Sequence, residues 1–173
     1  HTEDALVRPQ IISGTHALAT TVFGLLRPGD EILFAVGTPY DTMQGVVGIR
    51  GEKGSLADYG VTHRIVPLTA AGYPDLMAIR EAIGPKTKVV EIQRSKGYDV
   101  RHSLSVEEIG EIIAVVKEVR SDIIVMVDNC YGEFVQEIEP SDVGADIVVG
   151  SLIKNAGGGL APIGGYIVGR QDL

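Results

Sequence analysis

The sequence predicts an α/β fold of three layers, α/β/α, built on a mostly parallel sheet with one antiparallel strand. Short apolar runs of strand length alternate along the chain with segments of helical period. Strands that alternate with helices favour a parallel sheet covered by helices on both faces. The last apolar run, at residues 163–168, follows Lys154 by a link too short for a crossover helix, so we expect it to run antiparallel.

The first half of the chain opens with an extended run at residues 8–13. It leads into a helix at 14–26, where Leu18, Val22 and Leu25 share one face. The sequence Arg-Pro-Gly-Asp that follows is a turn signal and ends this helix. A strand at 31–36 and a glycine-interrupted helix at 40–49 come next.

The second half continues the alternation and contains a helix with its own start signal. Ser105 is a good N-cap, and Glu108 stands three residues later, which is the capping-box pattern. Residues 123–127 form a β-branched and Met run, typical of a strand buried on both faces. The other predicted elements are strands at 62–67, 87–93, 146–149 and 163–168 and helices at 75–83 and 106–120.

Composition limits the class of protein. The 173 residues suffice for one domain with a substantial core. The formal charge of −8 disfavours nucleic acid and anionic membrane surfaces as partners, and no apolar run approaches the roughly 20 residues of a membrane span. Cys130 is the only cysteine, which excludes a disulfide within the chain and fits a cytoplasmic location.

Both ends of the sequence have the pattern expected of a fragment of a longer chain. The first residues carry neither an initiator Met nor a signal-peptide pattern, and the last follow directly on a strand pattern. We therefore expect residues 1–173 to form one domain, or most of one, taken from a longer protein.

Polar side chains follow five of the predicted strands. In open α/β sheets ligands bind outside the carboxyl ends of the strands, so these positions are the candidates for a site. A purely structural domain has no need of five polar clusters at one edge. They are Ser13-Gly14-Thr15-His16, Gly37-Thr38-Pro39-Tyr40, Gln93-Arg94-Ser95-Lys96, Asp128-Asn129-Cys130-Tyr131 and Gly150-Ser151-Leu152-Ile153-Lys154-Asn155.

The first cluster, Ser13-Gly14-Thr15, allows two interpretations. It is either a simple helix cap or a phosphate cradle, since a helix N-terminus presents free N–H groups and the positive end of the helix dipole. No Gly-Lys-Ser/Thr follows it and no G-x-G-x-x-G is present, which excludes the P-loop and the dinucleotide fingerprint.

Asp128 and Tyr40 also have a structural and a functional interpretation. Asp128 closes an apolar strand, where it either caps a helix or meets a cation, because a buried carboxylate without a partner is costly. Tyr40 either packs or stacks on a planar ligand.

Lys154 stands between two apolar residues and a glycine run. A lone loop lysine is usually solvated, but this context favours burial. Burial lowers the pKa of a lysine and frees its amine for Schiff-base chemistry. Cys130 is interpreted as a packing residue, and neither a zinc pattern around the histidines nor a G-x-S-x-G nucleophile elbow is present.

Along the chain Ser-Gly-Thr (13–15) is followed by Tyr40, then by Val-Asp-Asn (127–129) and then by Ser-x-x-Lys (151–154). This order resembles fold-type I pyridoxal-5′-phosphate (PLP) enzymes of the cystathionine/methionine γ-lyase group. Four longer motifs are more narrowly similar to the methionine γ-lyase family proteins also called aluminium resistance proteins. The resemblance covers essentially the whole chain. The motifs are Gly-Thr-Pro-Tyr-Asp-Thr (37–42), Ile-Gln-Arg-Ser-Lys-Gly-Tyr (92–98), Val-Asp-Asn-Cys-Tyr-Gly-Glu-Phe (127–134) and Gly-Ser-Leu-Ile-Lys-Asn-Ala-Gly-Gly-Gly (150–159).

The resemblance implies a role for each candidate. Lys154 matches the lysine that forms the internal aldimine with PLP, and Asp128 matches the acid that pairs with the pyridine nitrogen. Tyr40 matches the tyrosine stacked on the ring. Ser13, Gly14, Thr15 and Ser151 match the phosphate-binding groups, and Gln93 or Ser95 lies where the family contacts the O3′ side of the cofactor.

The resemblance further implies a carbon–sulfur lyase that performs γ-elimination on a sulfur-containing amino acid. It implies a PLP-binding large domain without the N-terminal segment and the small C-terminal domain of the family, and a homo-oligomer, dimer or tetramer, at full length. The arginine that binds the substrate carboxylate lies outside this chain. β-Elimination, transamination, a PLP-binding subunit without turnover and a phosphate-binding domain without PLP remain as alternatives.

Overall fold

In the computed structural model, which describes residues 3–173, seven strands form one sheet in the order β1-β7-β6-β5-β4-β2-β3. Four α-helices and three short 3-10 helices connect them. The strands are β1 (Glu3–Arg8), β2 (Glu31–Phe34), β3 (Thr62–Ile65), β4 (Thr87–Gln93), β5 (Ile124–Asp128), β6 (Ile147–Ser151) and β7 (Gly165–Arg170). The helices are α1 (Gly14–Leu25), α2 (Asp41–Val47), α3 (Leu76–Ala82) and α4 (Val106–Val119), with 3-10 turns at Ala57–Tyr59, Pro140–Val143 and Asn155–Gly157.

The sheet is mostly parallel, and β7 is the strand that runs the other way. The neighbouring strands from β3 to β6 pair in parallel, whereas β7 pairs antiparallel with both β6 and β1. Because β1 opposes β7, it runs in the same direction as β6 and ends at the same edge of the sheet. The predicted fold, including the antiparallel last strand, is confirmed.

Helices cover both faces of the sheet and enclose two apolar cores. On one face α3 and α4 pack on the sheet through residues such as Ile79, Ile109 and Ile112. On the other face α1 and α2 pack through residues such as Leu18, Val22 and Met43. Among residues 3–173 no helix is long and apolar enough to cross a membrane.

Helix α4 begins where its sequence signal places it. The hydroxyl of Ser105 accepts a hydrogen bond from the Glu108 N–H at 3.1 Å, and the Glu108 carboxylate accepts one from the Ser105 N–H at 2.8 Å. This is the capping box expected from the sequence. It satisfies two of the amide groups that a helix start leaves without an intrahelical partner.

The position of the first strand corrects the sequence-based expectation. Residues 8–13 are not a strand, because β1 ends at Arg8 and the chain turns at residues 9–10, with the Ile11 N–H donating to the Arg8 carbonyl at 3.3 Å. Pro9 has no N–H for a strand ladder, which favours this turn. The last strand likewise spans Gly165–Arg170 rather than 163–168.

Candidate functional site

A cavity of about 450 Å³ opens at the carboxyl edge of the sheet, between α1, α2 and the ends of β4, β5 and β6. The strand directions explain its position, because parallel strands all end at this edge. Every residue to which the resemblance assigns a role lines this one cavity, whereas Thr38, Arg94 and Asn129 of the same clusters do not. The residues with an assigned role are Ser13, Gly14, Thr15, Tyr40, Gln93, Ser95, Asp128, Ser151 and Lys154.

The first turn of α1 forms one wall of the cavity. Ser13 caps the helix, since its hydroxyl accepts from the His16 N–H at 3.1 Å and its carbonyl accepts from the Ala17 N–H at 3.0 Å. The backbone amides of Gly14 and Thr15, which come before His16 in the first turn, have no carbonyl partner inside the helix. A helix N-terminus with free amides at a cavity wall is suited to an anion such as a phosphate.

Gly14 lets this turn approach the end of β6 closely. A Cβ atom on Gly14 would lie 3.1 Å from the Ser151 Cβ and 3.1 Å from the Cys130 Sγ. Ser151 is buried, and its hydroxyl accepts from the Ile153 N–H at 3.3 Å. Ser151 therefore lies directly beside the free amides of α1.

Asp128 lies at the floor of the cavity, at the end of β5, and is 3% exposed. One carboxylate oxygen accepts from the Cys130 N–H at 3.1 Å. Burial raises the pKa of Asp128, while the Cys130 hydrogen bonds and the charge of Lys154 lower it. A cation that faced this carboxylate inside the cavity would stabilise its ionised form.

Tyr40 and Gln93 line the cavity beside the first turn of α1. The Tyr40 hydroxyl lies 2.9 Å from the Thr15 hydroxyl, and burial raises the pKa of Tyr40 to about 12. The buried Gln93 is register neighbour to Asp128 and accepts from the Tyr40 N–H at 3.0 Å. Its amide nitrogen donates to the Ser95 carbonyl at 3.0 Å, so Gln93 holds Tyr40 and the 95–97 loop in place.

Lys154 follows β6 and reaches the cavity half-buried. The expectation that burial lowers its pKa is wrong for this structure. The pKa of Lys154 is raised, because its Nζ donates to the Tyr131 hydroxyl at 2.5 Å and this contact outweighs desolvation. The Nζ also lies 4.2 Å from the centroid of the Tyr131 ring, where a cation is stabilised.

Tyr131 also lines the cavity. The sequence placed it in the polar cluster that follows β5 but assigned it no role. Its φ of 67° is in the left-handed region, which non-glycine residues rarely adopt. No local sequence pattern predicts that backbone conformation.

Cys130 and the residues behind it complete the wall. Burial and the nearby Asp128 raise the pKa of the Cys130 thiol, which disfavours a thiolate nucleophile and agrees with its interpretation as a packing residue. Behind the cavity the Arg94 guanidinium, 2% exposed, donates to the Asn129 side chain at 2.8 Å and to Gln136 at 3.0 Å.

The donor set fits PLP better than a metal ion. Free helix amides beside Ser151 suit its phosphate, the buried Asp128 carboxylate suits a protonated ring nitrogen, and the Lys154 amine suits its aldehyde. Within residues 3–173 no group of three or more His, Cys, Asp or Glu residues could hold a metal.

Comparison with known proteins gives a consistent result. The family model described as methionine gamma-lyase matches residues 1–173. A protein of Bacillus subtilis named YnbB, itself described as uncharacterized, is 58% identical over 170 residues, which cover 97% of this chain and 40% of the relative. The L-methionine gamma-lyase of Pseudomonas deceptionensis is 30% identical over 162 residues, which cover 93% of this chain and 36% of the relative.

The fold of this chain is also similar to that of a solved structure. A proposed cystathionine beta-lyase involved in aluminium resistance from Listeria monocytogenes superposes with a TM-score of 0.95 at 55% identity. The match covers 97% of this chain and 43% of that chain. The chain thus spans less than half the length of the relatives that it matches.

Proposed function

Because the chain belongs to the methionine γ-lyase family, we propose that the full-length protein is a PLP-dependent carbon–sulfur lyase acting on a sulfur-containing amino acid, with Lys154 as the lysine that binds the cofactor. One observation carries the proposal. Lys154, Asp128 and the free N-terminal amides of α1 line the same cavity.

Each of these groups has one task in the proposal. The α1 amides, with Ser13, Thr15 and Ser151, hold the phosphate, and the Tyr40 ring packs along the cofactor ring. Asp128 keeps a proton on the ring nitrogen, since its buried carboxylate gains a cationic partner that offsets the cost of burial. PLP supplies an electron sink for the bonding pair released at the substrate α-carbon.

Lys154 is the base in this scheme. Once it is free of the cofactor, its amine is placed to move the α-proton, and in the γ-elimination to move the second proton at the β-carbon. A neutral amine is required to accept a proton, and an ammonium to return one. The rest of the specificity depends on parts of the protein beyond these residues, including the group that binds the substrate carboxylate.

The proposal is tested in the full-length protein by treating it with PLP, reducing with borohydride and mapping the modified peptide. We expect the adduct on Lys154 and thiol release from L-methionine or L-cystathionine. Lys154→Ala should remove both while leaving the fold intact, and Lys96→Ala, at an exposed neighbouring lysine, serves as the control. An adduct on another lysine would refute the assignment, and an adduct without turnover would indicate a PLP-binding subunit.

The proposal includes a homo-oligomer at full length. Three large apolar side chains are almost fully exposed: Tyr98, which lines the cavity, at 93%, Val100 at 98% and Leu160 at 91%. We take these exposed side chains as candidates for a contact between subunits. Light scattering of the full-length protein checks this, and a monomer at all concentrations would contradict it.

A further inference from the structure

Two contacts bind the Lys154 amine to one side chain. Its Nζ donates to the Tyr131 hydroxyl at 2.5 Å and stands 4.2 Å from the ring centroid. Both contacts favour the ammonium over the neutral amine, because the hydroxyl oxygen accepts and the ring face is negative. Tyr131 therefore forms a docking position for a protonated Lys154.

The backbone of Tyr131 is held in an uncommon conformation. The φ of Tyr131 is left-handed, a strained conformation that a non-glycine residue keeps only where its surroundings enforce it. Here the Asn155 side-chain amide donates to the carbonyls of Tyr131 and Glu133, both at 3.0 Å. Asn155 directly follows Lys154, so neighbouring residues of one loop bind the side chain and the backbone of Tyr131.

The far side of the same turn is also fixed. Glu133 is 5% exposed and accepts from the Tyr166 hydroxyl at 2.7 Å, which ties the turn to β7. Gly132 has no free space, since a Cβ there would lie 2.4 Å from the Arg94 Cδ. The turn is thus clamped from both sides, and the strained Tyr131 points its hydroxyl at Lys154.

We propose that Tyr131 is a positioning residue that holds Lys154 as the ammonium during the reaction, an inference that rests on the proposed function above. When Lys154 accepts the α-proton, the C–H bond breaks, its electron pair stays with the carbon side, and the new N–H bond forms at Nζ. The charge that appears on Nζ is stabilised by the Tyr131 oxygen and ring. The lysine stays at the cavity, ready to return its proton.

The test uses the full-length protein without PLP and follows the reactivity of the Lys154 amine with trace acetic anhydride as a function of pH, located by mass spectrometry. Tyr131→Phe removes the hydroxyl and keeps the ring, and Tyr131→Leu removes both. Tyr59→Phe, at an exposed tyrosine that packs on Phe23, is the matched control.

In Tyr131→Phe we expect the reactivity profile of Lys154 to move to lower pH. A hydrogen bond contributes about 0.5–1.5 kcal/mol, and one pKa unit is about 1.4 kcal/mol. Acetylation below the midpoint should therefore be roughly 3- to 10-fold faster than in wild type, with a larger gain in Tyr131→Leu. The Lys154 reactivity profile of Tyr59→Phe should match that of wild type. All variants should have the melting temperature of wild type.

The outcomes separate the two claims. A Lys154 profile unchanged in both Tyr131 variants would overturn the positioning role while the PLP adduct on Lys154 in wild type still stood. If wild type fails to form that adduct, the proposed function is overturned, and with it the role of the Tyr131–Lys154 contact in the reaction. A shifted profile together with the adduct supports both.

Discussion

A Cβ atom placed on Gly14 would lie 3.1 Å from the Cβ of Ser151, so a side chain there would fit only if the first turn of α1 or the end of β6 moved by a few tenths of an ångström. This contact brings the free amides of the helix next to a buried hydroxyl. The closeness of two elements far apart in the sequence forms the end of the cavity to which we assign the phosphate of the cofactor.

The first prediction follows from this contact. Gly14→Ala should crowd Ser151 and Cys130, cost about 1–3 kcal/mol of stability and weaken PLP binding by widening the cradle. Gly24→Ala is the control in the same helix, because nothing lies within 4 Å of its added Cβ and alanine is the better helix former, by about 0.5–1 kcal/mol. Urea unfolding and PLP titration measure both effects. Equal PLP affinity in the two variants would refute the cradle.

The second prediction concerns Asp128. Asp128→Asn should retain PLP, because the cradle and Lys154 remain, but should lower kcat on the order of 100-fold or more, since an amide cannot hold a proton on the ring nitrogen. Its thermal stability should stay near wild type, because an amide oxygen can still accept from the Cys130 N–H.

The control for that variant is Asp75→Asn, at the N-cap of α3, where Asp and Asn are nearly equivalent. If Asp128 has only a similar structural role, both variants will keep normal turnover. Steady-state kinetics of the two full-length variants decide between these interpretations of Asp128.

The third prediction concerns Glu91, a fully buried carboxyl two residues before Gln93. Burial and the charge of Asp128 raise the pKa of Glu91, and Arg101 only partly opposes them. When the pKa of a carboxyl is higher in the folded than in the unfolded protein, the carboxyl stabilises the folded state fully below its unfolded pKa of about 4.3. This contribution to stability is lost as the pH rises through the folded pKa. Glu91→Gln should therefore gain stability relative to wild type between pH 4 and pH 8.

Urea unfolding at the two pH values measures this change, and comparing them cancels any cost of the amide that does not depend on pH. Glu111→Gln, at an exposed position of α4, is the control. If Glu91 is instead ionised and paired with Arg101, Glu91→Gln will lose stability at pH 8.

The fourth prediction concerns the bond between Tyr166 and Glu133. The Tyr166 hydroxyl donates to one carboxylate oxygen, and the other has no hydrogen-bond partner among the described residues. Tyr166→Phe should cost about 1–3 kcal/mol. Burial raises the pKa of Glu133 and this bond lowers it, so the loss should grow as pH rises. A loss in urea unfolding that does not depend on pH would contradict the assignment.

The sequence by itself determined the alternation of elements, the capping box at Ser105 and the gathering of polar residues at one sheet edge. These features are local: hydrophobic period, turn chemistry and cap signals are set within a few residues. Because the carboxyl ends of parallel strands meet at one edge of a sheet, the sequence alone also predicts that Ser13, Asp128 and Lys154 lie close together.

Only the tertiary structure decided the position of the first strand, the backbone conformation of Tyr131 and the direction in which the pKa of Lys154 is shifted. Strand β1 is an exposed edge strand, and its partner β7 lies at the other end of the chain, so no local pattern identifies it. The left-handed turn at Tyr131 exists because Asn155 and Tyr166 clamp it from distant elements. The pKa of Lys154 depends on the atoms around its Nζ, and only the folded chain brings the Tyr131 hydroxyl there.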